Sequence, residues 1–235
     1  MNAVFLLPIL LFHLLFSEKT YCNFAIDQQT SFTDASYDLY NHKNFVKLPE
    51  ANKLIEINSI DYNLLNAAVF YATNQQRAKY KLKEFGFNPL LRDAASLQSQ
   101  QMVKYNFFAH QNPNNNKLKT LKERLLQAGA EGKYTAAGEN ISEYFLLNYT
   151  PDRYYTIKVV NGSRMYVNPK TNKPIQSHTY ISFGEAIVAD WMTSPGHRAN
   201  ILNPKFTHLG CSGIKSTIGE GFPKAKVTQV FGALR

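Results

Sequence analysis

The apolar residues of this chain change their period part-way along it, and that change limits the folds open to it. Leu64, Leu65, Ala68, Val69 and Ala72 recur at helical spacing and predict an amphipathic helix over residues 60–80. Pro89 suits the first turn of a second helix over residues 89–105, with Leu90, Leu91, Ala94, Ala95, Leu97 and Met102 as its apolar face. A third, over residues 118–127, stops at Ala128-Gly129, where glycine can take the left-handed cap. A fourth, over residues 182–193, turns Phe183, Ala186, Ile187 and Trp191 inward. Residues 209–215 and 226–232 instead read as strands, and alternating apolar residues between 154 and 166 surround Asn161-Gly162, the signal of a tight hairpin. Helices early, strands late and one shared core predict an α+β fold with helices packed on a mainly antiparallel sheet.

At 235 residues the chain can build one substantial core. Residues 4–16 are almost wholly apolar but shorter than the ~20 residues a spanning helix needs. They read as the hydrophobic part of an export signal, residues 1–22, with a cut after Cys22; Thr20 and Cys22 are the small residues at that site. In a rival reading Cys22 carries a lipid at the head of a lipoprotein, although Tyr21 is bulky for such a site. Either route exports the protein to the extracellular space or the cell surface. Residues 23–58 are polar and aperiodic, an irregular arm or tether, and residues 59–235 form the domain. With Cys22 removed or acylated, Cys211 has no partner for an intramolecular disulfide, and its neighbours Leu209 and Ile214 mark it as a small buried hydrophobe.

The formal net charge is +9, and removing residues 1–22 deletes one acid, Glu18, and one base, Lys19, leaving it unchanged. Anionic lipid, acidic polysaccharide and envelope polymers are the partners such a charge attracts. The lysines, Lys226 among them, are dispersed and read as a solvated face, and no nucleic-acid motif is present.

Four residues carry candidate chemistry. In Ser194-Pro195-Gly196-His197, the serine caps a new helix and proline fills its first turn. His197 then sits at the positive end of the helix dipole, which disfavours its protonation and leaves a neutral ring able to accept a proton or bind metal. His110 follows Phe107-Phe108-Ala109 at the end of the second helix, and Glu139 reads as a loop glutamate after Gly138. Each has a plain structural explanation when taken alone.

Taken together, His110, Gly138-Glu139-Asn140-Ile141, Trp191, Ser194-Pro195-Gly196-His197-Arg198 and Leu209-Gly210-Cys211 resemble the CAP superfamily of cysteine-rich secretory, antigen-five and pathogenesis-related proteins, in its bacterial SCP-like branch. Asn74-Gln75-Gln76-Arg77 and Gln229-Val230-Phe231-Gly232 fit the same pattern, so the resemblance covers residues 60–234. It implies a three-layer αβα sandwich whose central cleft is lined by two histidines and two acids. His110 and His197 match the histidines and Glu139 the first acid, while Ser194 stands where the second acid is expected. Some members bind a divalent metal such as zinc through the histidines; here His110 and His197 would need water or another side chain to complete the coordination.

Two functions follow as expectations. The first is an exported, non-enzymatic binding protein whose cleft of His110, Glu139, Ser194 and His197 takes a lipid, an envelope polymer such as acidic polysaccharide, or a host or cell-surface protein. Nucleic acid is excluded, and a membrane enters only through a lipid at Cys22. The alternative is a metal-assisted hydrolase, a peptidase, with metal on His110 and His197 and Glu139 as general base. A purely structural cluster, with Glu139 satisfying buried donors, is a third explanation of the same residues.

Overall fold

Each long helix begins where a side chain satisfies its first free N–H groups. In the computed structural model, which describes residues 32–149, 154–216 and 221–235, Asp61 accepts from the Leu64 N–H at 3.0 Å and opens α3 (Tyr62–Lys79). It follows two single-turn helices, α1 (Ser36–Leu39) and α2 (His42–Phe45). Asn88 accepts from the Leu90 and Leu91 N–H groups and opens α4 (Pro89–Lys104), with Pro89 in its first turn. Such caps contribute about 1 kcal/mol each. Thr120 and Glu123 form a capping box that starts α5 (Leu121–Gln127), so the residues before it break into a separate 3-10 turn, Asn116–Leu118. Gly129 takes the left-handed conformation just after α5, as its sequence position predicts. Thr179 caps α6 (Tyr180–Thr193), and α7 (Pro195–Ile201) follows after one residue.

The strands are β1 (Gly86–Phe87), β2 (Tyr134–Phe145), β3 (Thr156–Val160), β4 (Ser163–Val167), β5 (His208–Ser216) and β6 (Lys224–Leu234). Four of them form the central sheet in the order β1-β5-β6-β2; β1 runs parallel to β5, and the other pairs are antiparallel. The remaining two form a separate hairpin, β3-β4, whose turn residues Asn161 and Gly162 both have positive φ. The tight turn needs that conformation at both positions.

Alternation along β6 divides the core into layers. Ala225, Val227, Phe231 and Ala233 face α3 and α6, and the Gln229 amide donates to Thr73 of α3 at 2.6 Å on the same side. Val230 faces the opposite way, onto Leu91, Ala94 and Ala95 of α4, where Ser99 Oγ also donates to Thr228 Oγ1 at 2.8 Å. The result is an α+β, three-layer αβα arrangement around a mixed, mainly antiparallel sheet. Two glycines set the layer spacing: a Cβ on Gly184 would lie 2.6 Å from the Ala68 carbonyl carbon, and one on Gly210 the same distance from the Arg92 Cα.

Residues 32–57 lie on the α3/α6 side, with Phe32, Phe45, Ala51 and Ile55 buried in the main cluster and Phe45 stacked on Tyr71 at 4.4 Å. Cys211 is buried and free, and burial pushes its thiol pKa well up, as suits a hydrophobic filler. The expected leader and Cys22 lie outside the described residues.

Three expectations are corrected. Glu139 lies within the strand β2, where a loop was expected; residues 140–142 are buried in succession between two helical layers, which erases the alternation that marks a half-buried strand. Lys226 does not belong to a solvated face: it is 3% exposed. Its Nζ donates to the Met102 and Phe107 carbonyls at 3.0 and 2.9 Å, placing a cation at the C-terminal end of α4 where the helix dipole favours it. The first turn after Ser194 is helical, yet the Ser194 side chain makes no capping hydrogen bond.

Candidate functional site

Strand β2 forms the free edge of the central sheet, and successive residues on it face opposite helical layers. Glu139 points to the α4/α5 side. Its Oε1 accepts from His110 Nδ1 at 2.9 Å and its Oε2 from Arg124 Nη2 at 2.6 Å. Asn140 points the other way: its amide donates to the His197 carbonyl at 3.2 Å and to Gln229 Oε1 at 3.2 Å, while Asn200 donates to its Oδ1 at 2.9 Å. The two histidines thus arrive from opposite outer layers and are held to adjacent residues of one strand, His110 by its ring and His197 by its backbone.

Arg124 is the residue the sequence reading missed. Its side chain is fully buried, and besides Glu139 it donates to the carbonyls of Leu118, Lys119 and His110 at 3.1, 3.3 and 3.3 Å. One guanidinium therefore ties the turn before α5, the loop carrying His110 and the edge strand together. An arginine on a short amphipathic helix ordinarily reads as solvated, so no local signal marked it.

Exposure separates the two partners of Glu139. The His110 side chain is 55% exposed, against 5% for Glu139 and 0% for Arg124. A carboxylate only accepts, so the hydrogen of this bond is carried by His110 Nδ1. His197 lies in the first turn of α7, its ring 6.5 Å from that of Trp191, which is itself anchored by an Nε1 donation to the Ile141 carbonyl at 3.1 Å. Desolvation, with the nearby His110 adding to it and Asp190 opposing it, holds the His197 pKa below its usual value of 6.5.

That shift has a defined sign. The folded protein keeps His197 neutral where the unfolded chain already takes up a proton, so its contribution to stability is full above pH 6.5 and is lost as pH falls through the lowered folded value. In an imidazole NMR titration His197 should show a midpoint below 6.5, raised by His110→Ala and lowered further by Asp190→Asn. A midpoint insensitive to both substitutions would place the rings apart.

The donor set bears on metal binding. Among the described residues no group of three or more His, Cys, Asp or Glu side chains is arranged to hold a metal ion. Glu139 is turned to Arg124 and orients His110 from behind, as carboxylates do for metal-bound imidazoles, and does not itself present a free oxygen. Ser194 is half-buried at the start of α7 and supplies no anion.

Comparison with known proteins shows the family. Residues 70–222 match the model of the cysteine-rich secretory protein family, CAP. The chain belongs to that family. The CAP domain is 30% identical over 145 residues to the Bacillus subtilis protein YkwD, an alignment covering 61% of this chain and 40% of that protein. An extracellular protein containing an SCP domain from Bacillus anthracis is 24% identical, covers 74% of this chain and 41% of its own, and superimposes with a TM-score of 0.48. An outer surface protein from Borrelia burgdorferi is 12% identical, covers 72% of this chain and 92% of its own, with a TM-score of 0.47. The chain spans well under half the length of the two Bacillus relatives.

Proposed function

We propose that this CAP protein is an exported, non-enzymatic binding module whose ligand engages the cleft of His110, Glu139, Ser194 and His197. The ligand classes are a lipid, an envelope polymer or a surface protein. The observation that carries this reading is the full engagement of Glu139, one oxygen on His110 and the other on buried Arg124. A carboxylate so held is a poor general base, since abstracting a proton would break the ion pair that neutralises Arg124. What the site offers instead is the half-exposed ring of His110 near a His197 whose pKa is held low, two imidazoles able to hydrogen-bond ligand hydroxyl or amide groups. Export rests on the apolar run of residues 4–16.

The structural explanation applies to Arg124 rather than to His110. A buried guanidinium must be neutralised, whereas a half-exposed imidazole is solvated without help. The protein and its His110→Ala/His197→Ala variant should therefore unfold at nearly the same temperature while differing in binding. Titration with monomeric lipids, purified envelope polysaccharide and cell-surface proteins is expected to give one ligand held about tenfold more weakly by the double variant, the loss of one good hydrogen bond. A folded protein that binds none of them removes the proposal. Peptide hydrolysis that requires added metal and vanishes in the double variant would put metal-assisted hydrolysis in its place.

A further inference from the structure

Strand β2 is paired with β6 on one side only, and its two halves meet different surroundings on the other. The carbonyls of Glu139 and Ile141 face away from β6, where Asn200 Nδ2 donates to the first at 3.2 Å and Trp191 Nε1 to the second at 3.1 Å. Side chains of α6 and α7 thus close that half of the edge. Ala137 faces the same way, because its partner Gly232 turns its own carbonyl to the β5 side, where it accepts from the Thr207 N–H at 2.9 Å. Among the described residues nothing bonds to the outward N–H and C=O of Ala137 or to the N–H of Glu139. Proteins ordinarily guard such an edge with charge, proline or a covering segment. Thr135, Ala136 and Ala137 are exposed and carry no such guard.

A mainly apolar groove of about 390 Å³ adjoins this open stretch, between α5 and β2, lined by Leu121, Leu125, Leu126, Ala130 and Tyr134 beside Ala137 itself. The side chains of Ala137 and Glu139 share one face of β2, and on that face Glu139 reaches Arg124 of α5. A strand laid against Ala137 would send the residue opposite it to the same face, into the groove. Backbone and groove together select the occupant. A lipid tail would fill the groove and leave the edge amides unmet; polysaccharide hydroxyls would meet the amides and leave the groove empty. A second copy pairing β2 with β2 brings only Thr135, Ala136 and Ala137, too small to fill it. An extended peptide carrying a large apolar side chain satisfies both.

We propose that the ligand of the cleft is an extended polypeptide, which adds a strand to the central sheet at Ala137 and Glu139 and seats an apolar side chain in the groove between α5 and β2. The inference rests on the cleft being a binding site and narrows its ligand to a surface protein. In such strand additions the main-chain hydrogen bonds give affinity and the side-chain pocket gives selectivity. The same path along the edge leads to Glu139 and the exposed ring of His110 that it holds, so one peptide engages the open edge and the cleft together.

The test uses heptapeptides displayed on phage, selected on the immobilised full chain, and the strongest of them synthesised with single backbone amides N-methylated. Methylation should block binding only at alternate positions, because every second residue of an added strand faces the edge. Ala137→Pro removes an N–H that has no partner in the sheet, and Leu126→Asp charges a groove residue that is 52% exposed. Each should weaken the peptide about tenfold or more with the unfolding temperature unchanged. In amide NMR spectra the peptide should shift Ala137 and Glu139. Selection of no peptide, tolerance of N-methylation throughout, or wild-type binding by Ala137→Pro overturns the proposal, as does self-association that Ala137→Pro abolishes. Loss of binding in His110→Ala/His197→Ala without loss in Ala137→Pro would remove the strand addition and keep the cleft. Loss in Ala137→Pro without loss in the double variant would keep the strand addition and remove the cleft.

Discussion

Gly210→Ala is expected to remove more than about 4 kcal/mol of stability. A Cβ at that position overlaps the backbone nitrogen of Arg92 and the carbonyl carbon of Leu91, and lies 2.6 Å from the Arg92 Cα. These are backbone atoms in the first turn of α4, held by the Asn88 cap, so no side chain can swing away to make room. Separating α4 from β5 would pull Leu91, Ala94 and Ala95, all fully buried, off Val230 and open the smaller core cluster. Ordinary overpacking costs about 1–3 kcal/mol, and a backbone-on-backbone clash that parts a layer should exceed about 4 kcal/mol. Far-UV circular dichroism and urea unfolding of soluble protein would measure it. Gly196→Ala is the control: no atom lies within 4 Å of its Cβ, and a gain or loss below about 1 kcal/mol is expected. A Gly210→Ala protein as stable as the control would mean that α4 does not press on β5 as described.

Breaking the Glu139–Arg124 pair should have the next largest effect. In Glu139→Gln the guanidinium, with no exposed surface, loses the charge 2.6 Å away that neutralises it and is left with neutral acceptors alone, the new amide oxygen and the carbonyls of Leu118, Lys119 and His110. Removing one partner of a buried ion pair costs about 3–5 kcal/mol, whereas replacing both by uncharged groups of similar volume is often nearly neutral. The double variant Arg124→Met/Glu139→Gln should therefore be less destabilised than Glu139→Gln alone, a coupling that urea unfolding of the single and double variants would reveal. Additive losses would show that the two side chains stabilise the fold separately. A Glu139→Gln change within about 0.5 kcal/mol of wild type would mark the carboxylate as a surface group.

Much of the architecture was legible because its causes are local. Pro89 announces a helix start by fitting the first turn, Gly129 a helix end and Asn161-Gly162 a hairpin by tolerating positive φ. Strand β2 was not legible for the opposite reason. As an edge strand whose middle is closed over by both helical layers, it buries Asn140, Ile141 and Ser142 consecutively, and a run of that kind shows no period of two.

The site divides in the same way. That His110 and Glu139 would meet was readable from motif order, and the start of α7 from Ser194-Pro195. Arg124 was not readable, since whether an arginine is solvated or buried against a carboxylate depends on what the fold brings within a few ångströms of it. The Ser194 hydroxyl likewise occupies a capping position without making the capping bond, a choice of side-chain rotamer that residue type does not dictate.

The amino-acid order alone determined the long helices, the glycine stop after α5, the hairpin turn and membership of the CAP family, because each is written in residues a few positions apart. Only the tertiary structure decided that Glu139 answers to Arg124 as well as to His110, and that Lys226 is buried at the end of α4. Charge neutralisation and burial act through space, between groups 15 to 124 residues apart in the chain, and sequence spacing carries no record of those distances.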